Sequence, residues 1–149
     1  MPTPGQRFEQ LTSADVERLK QQRAVIERFL GDDETNWANY STPPGKLGLI
    51  RAVLEAKVFN ASDTYELQCL GIILGDAFVQ ECGWLWRMVE DEYGRDPCVK
   101  VPGSSMSLFP LTMISKRIER GEDVDVFALF NMAAADVEER AMSAEPLAD

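Results

Sequence analysis

The sequence predicts an α+β fold, about five helices around a small three-stranded antiparallel sheet, and three observations carry the prediction. From Trp84 the chain alternates with a period of two: Trp84, Trp86 and Met88 point one way, Leu85, Arg87 and Val89 the other. The flanking segments carry helical spacing instead, with Tyr65, Leu70, Ile73, Leu74, Ala77 and Phe78 before and Leu111, Ile114 and Ile118 after. Turn formers separate the candidate strands, Tyr93-Gly94-Arg95-Asp96-Pro97 and then Pro102-Gly103-Ser104, which places strands near 84–92, 98–101 and 105–109.

Taken in order, the two prolines and glycine among the first residues predict a loosely held terminus over about 1–8. Thr12 and Asp15 then form a capping pair, and Val16, Leu19, Ile26, Phe29 and Leu30 mark the apolar stripe of a first helix that Gly31 ends. Residues 32–44, DDETNWANYSTPP, show neither period and read as a long connection. A second helix is expected from about Pro44 to Val58. A third opens at Ser62-Asp63 and is apolar nearly all round, as a central helix is. Gly71 and Gly75 share one of its faces and allow another element to approach closely; Asp76 and Glu81 exclude a membrane setting. Pro110 starts a fourth helix that Gly121 stops, and Asp123 caps a fifth, beyond which about 143–149 should fray. A single domain over 1–149 fits the length.

A formal charge of -10 argues against nucleic acid and anionic membranes, which require Lys and Arg clusters, and favours a basic protein partner. The chain has no histidine, so the commonest general base and transition-metal ligand are both missing. Cys69, Cys82 and Cys98 form no Cys-x-x-Cys pair and read as reduced, buried thiols. The opening MPTPGQRFEQ has neither the basic segment nor the hydrophobic run of a secretory signal, and a cytoplasmic location is expected.

Two acidic groups are the candidate sites. Asp32, Asp33 and Glu34 stand beside Trp37 and Tyr40 in the connection, where aromatic anchors within an acidic rim suit a partner surface. Glu90, Asp91 and Glu92 close the Trp84 strand and form an acidic knot with Asp96; the run fails the calcium-loop pattern, and a solvated strand end paired with Arg95, Lys116 or Arg117 is the plainer account. Trp84 and Trp86 lack the basic groove of a nucleotide-stacking platform and are expected to pack on the third helix. No cofactor or metal site is expected. The run WLWRMVEDEYGRDPCVKV followed by FPLTMISKRIERGEDVDV resembles an uncharacterised family of small bacterial proteins, a domain of unknown function, over about 67–129, and the resemblance brings no catalytic residues with it.

These readings converge on a non-enzymatic acidic binding protein, by analogy of charge and size a bacterial immunity protein occluding the active site of a toxin effector. The competing expectation is a small regulatory or ligand-sensing domain with a pocket between sheet and helices.

Overall fold

Helix α4 (Thr64–Cys82) is the element on which the others pack. Its residues from Leu67 to Phe78 are buried apart from Gln68 and Asp76, as the lack of a polar face predicts. The structure, a computed structural model, describes residues 6–143. Along the chain run β1 (Arg7–Glu9), α1 (Ser13–Glu27) with a 3-10 turn (Arg28–Leu30), α2 (Glu34–Tyr40), α3 (Pro43–Glu55), α4, β2 (Leu85–Asp91), β3 (Gly94–Lys100), β4 (Ser107–Leu108), α5 (Pro110–Met113), α6 (Ser115–Glu119) and α7 (Val126–Ser143).

The α+β class holds, with four antiparallel strands in the order β1-β2-β3-β4 rather than three. The added strand is β1, whose Phe8 sits opposite Val89 and Glu9 opposite Met88. Arg7 and Phe8, expected in a loose terminus, are therefore paired, and Ser143, expected to fray, is the last residue of α7; 1–5 and 144–149 lie outside the described residues. The hairpin reverses at Glu92-Tyr93, earlier than the expected turn at 93–97, and its register runs from Asp91↔Gly94 to Leu85↔Lys100. Pro97 is accommodated inside β3, opposite Met88, because a proline is tolerated where a strand's N–H is not needed by the ladder.

Residues 32–44 are not the expected irregular connection. Asp33 accepts hydrogen bonds from Thr35 N (2.8 Å) and Asn36 N (3.2 Å) and so caps the short helix α2. The capping box on α1 is present as predicted, with Thr12 Oγ1 accepting from Asp15 N and Asp15 Oδ2 from Thr12 N. Val16 and Phe29, placed on the inner stripe by spacing, are exposed. Asp125, rather than Asp123, caps α7 by accepting from Ala128 N at 3.1 Å.

The two glycines of α4 set the packing distances. A Cβ on Gly71 would meet Pro110 O at 2.3 Å, and one on Gly75 would meet Trp86 Cζ2 at 2.3 Å, so α5 and the indole both rest directly on the helix backbone. Trp84 is buried and stacks on Phe78 (centroids 5.6 Å apart), which stacks in turn on Phe130 of α7 (4.6 Å). Both tryptophans thus pack on α4 as expected. Among the described residues no helix is long and apolar enough to cross a membrane.

Candidate functional site

The acids of residues 32–34 stand exposed at the turn into α2, and what lies beneath them is an ordered polar network. Gly31, at φ 63°, ends the 3-10 turn and leaves its carbonyl oxygen to accept from Trp37 Nε1 at 2.8 Å. Asn36 Nδ2 donates to Leu30 O at 3.2 Å. One helical turn on, Tyr40 is buried, meets the Trp37 ring edge-on (centroids 5.8 Å apart), and donates its hydroxyl to Glu27 Oε2 at 2.7 Å. Burial, then the bond to Glu27, pushes the Tyr40 phenol well above its ordinary value, so it remains a donor.

From α3, Lys46 Nζ donates to Tyr40 O and to Gln80 Oε1, each at 2.9 Å, and Gln80 Nε2 donates to Ser41 O. Burial lowers the Lys46 pKa. Deeper still, Asp76 accepts from Arg23 Nη2 at 2.9 Å and from Trp86 Nε1 at 3.0 Å, joining α1, α4 and β2. A carboxylate set within the buried run from Leu67 to Phe78 requires such partners, because burying it unpaired is costly. That requirement was the sequence signal for this network, which sequence reasoning missed. Trp37 keeps 42% of its surface exposed, and beside it an open groove of about 570 Å³ runs between α2 and α3, with Asn36, Asn39 and Tyr40 along one wall and Gly45, Gly48 and Leu49 along the other.

The second acidic group lies elsewhere. Glu90 Oε2 pairs with Arg7 Nη2 at 2.7 Å, not with Arg95, Lys116 or Arg117; Asp91 Oδ1 accepts from Tyr93 N at 2.8 Å; Glu92 is exposed in the turn. Arg95 turns instead to α1, where Nη1 and Nη2 each meet a different oxygen of Asp15 at 2.7 Å. The hairpin therefore docks at Asp15 and α2 at Glu27, twelve residues or about 18 Å apart along α1. The structure does not gather the two acidic groups into one site.

Burial pushes the Cys98 thiol up to about 12 against the opposing pull of Lys100 and Arg87, and pushes Cys69 and Cys82 up to about 11, so all three are protonated near neutrality. Among the described residues no group of three His, Cys, Asp or Glu side chains is placed to hold a metal ion.

The fold and this edge define an α+β protein whose surface acids stand on a segment held by hydrogen bonds to α1, α3 and α4. The chain belongs to a domain family of unknown function, DUF3806, whose model matches residues 46–130, more than half of its length. The match begins at α3, so the family extends further toward the N-terminus than the residues that suggested it, while α1 and α2 lie before the matched region. No curated protein matches the chain. A crystal structure from Bacteroides thetaiotaomicron VPI-5482, determined at 1.50 Å, is similar with a TM-score of 0.67 and 13% identity, covering 89% of this chain and 47% of that one. The likeness is one of fold, and this chain spans about half the length of that protein.

Proposed function

We propose that this chain is a non-enzymatic binding protein of the cytoplasm that docks a basic protein partner on the edge formed by Asp32, Asp33, Glu34 and Trp37, in the manner of an immunity protein covering a toxin's active site. One observation carries the reading: three acids and a part-exposed indole are displayed on a segment whose other side is pinned by Tyr40–Glu27, Trp37–Gly31 and Lys46–Tyr40 hydrogen bonds. Such pinning lowers the entropy lost on docking, and the overall charge of -10 steers a cationic surface toward the edge. The α2–α3 groove gives an anchoring side chain of the partner somewhere to enter. Glu90, Asp91 and Glu92, at the far end of α1 and partly spent on Arg7 and the hairpin turn, are not needed by this edge.

Co-production with the toxin-like product of a neighbouring gene tests the reading. Cells should survive with the native protein and die with Trp37→Ala, which removes the anchor and its bond to Gly31 O but leaves the Tyr40–Glu27 and Lys46–Tyr40 bonds. Protection that is unchanged by Trp37→Ala combined with Asp32→Asn and Glu34→Gln would refute it.

A further inference from the structure

A second cavity opens at the free margin of β3, away from the acidic edge. The β3–β4 ladder consists of Val99↔Leu108 and Lys100↔Ser107, after which the chain leaves β4 for α5. Further back along β3, Pro97 has no N–H with which to extend the ladder. Gly71 meanwhile lets α5 lie against the backbone of α4. These two features leave a space of about 330 Å³ walled by α4, β3, α5 and α6.

Four polar residues from four elements line it: Gln68 of α4, Asp96 of β3, Thr112 of α5 and Lys116 of α6. Within the described residues no hydrogen bond or ion pair engages any of these four side chains. That sets them apart from Arg7, Arg23 and Arg95, each of which is paired with a carboxylate. A cation and an anion thus share one small cavity without meeting each other. The remaining wall is apolar, with Phe109 and Leu111 beside the charges.

We propose that this cavity binds a free α-amino acid with an apolar side chain, its carboxylate on Lys116 Nζ, its ammonium on the Asp96 carboxylate and its side chain against Phe109 and Leu111. Charge selects the class. An anion would face Asp96, a cation would face Lys116, and a neutral ligand would gain a charge-assisted partner from neither, whereas a zwitterion pairs with the two together. Gln68 and Thr112 supply hydrogen bonds to whichever carboxylate or ammonium positions remain. The volume is that of roughly eleven waters at about 30 Å³ each, enough for an amino acid of about ten non-hydrogen atoms. It falls at the small end of the range for ligand pockets.

The test is titration of the full chain, followed by amide NMR shifts, with L-leucine and L-phenylalanine, and with isocaproate and isoamylamine, which lack the ammonium and the carboxylate respectively. One or both amino acids should bind with a Kd of about 1 mM or tighter and shift amides of β3, α5 and α6. Isocaproate and isoamylamine should bind at least about tenfold more weakly. Lys116→Met and Asp96→Asn, both at exposed positions, should each weaken binding by about tenfold or more while leaving the rest of the spectrum unchanged. Lys20→Met, on the surface of α1, should change nothing. If neither amino acid shifts these amides at about 10 mM, or if binding survives both Lys116→Met and Asp96→Asn, the assignment is wrong. Because Lys116 is not part of the acidic edge, Lys116→Met leaves partner docking untouched, so failure here and failure there can be told apart.

Discussion

The two ends of α1 use the same ingredients for opposite purposes. At its start, Asp15 is buried and receives both guanidinium nitrogens of Arg95, while Arg95 Nε reaches Glu9, so that α1, β1 and β3 are held by one set of charges. At its end, Glu27 holds Tyr40, and the neighbouring acids Asp32 and Glu34 are left facing water. The first end consumes its charges internally and acts as a clasp. The second spends a phenol, an indole N–H, an amide and the Lys46 ammonium on fixing the chain, and leaves the Asp32 and Glu34 carboxylates available. An acid-rich composition therefore says little by itself; what matters is which acids the fold has already engaged.

The largest effect expected of any change that breaks this contrast is Gly45→Ala. A Cβ there would stand 1.6 Å from Asn39 O, which is backbone and cannot rotate away, so α2 has to move. Urea unfolding should show a loss of about 3 kcal/mol. Gly48→Ala, three residues on with nothing within 4 Å of the new Cβ, should stay within about 0.5 kcal/mol of the native protein.

The clasp should reveal itself through pH. The guanidinium of Arg95, hydrogen-bonded to Asp15, outweighs burial and holds that carboxyl well below its ordinary value of 3.8. The folded state thus binds the proton less readily than the unfolded chain, and the contribution is complete above about pH 5 and lost as pH falls through and below 3.8. Asp15→Asn should flatten the acid limb of the stability profile, an effect smaller than that of Gly45→Ala; an unchanged limb would mean that the ion pair is not a clasp. At the other end, Tyr40→Phe removes the donor to Glu27 and should cost about 1 kcal/mol by the same unfolding measurement. The smallest change in stability, within about 0.5 kcal/mol, belongs to Asp32→Asn with Asp33→Asn and Glu34→Gln, since these residues are exposed and asparagine keeps the helix cap.

The sequence carried the long elements. The run from Leu67 to Phe78, broken only by Gln68 and Asp76, makes α4 legible, and Thr12 with Asp15 announces the start of α1. Helix α2 was hidden because only Tyr40 of its seven residues is buried, too few for a stripe, and because its cap, Asp33, reads equally well as a loop residue. Strand β1 was hidden because three residues pairing across some eighty positions of sequence leave no local period. Pro97 reads as a turn residue in the sequence because its tolerance inside β3 depends on which side of the ladder its missing N–H faces. Of the candidate edge, the residue types were legible and their exposure partly so. Their fixation was not, since Glu27, Lys46 and Gln80 come from three other helices.

The central claim is that the free acids of the α1–α2 edge serve association and not folding. Stopped-flow association with the proposed basic partner, measured from about 50 to 500 mM salt, tests it most directly. The native protein should associate about tenfold more slowly at the high-salt end, and Asp32→Asn, Asp33→Asn, Glu34→Gln combined should be slow at every salt concentration with its stability intact. Equal association rates for the two proteins across the salt range would contradict the account.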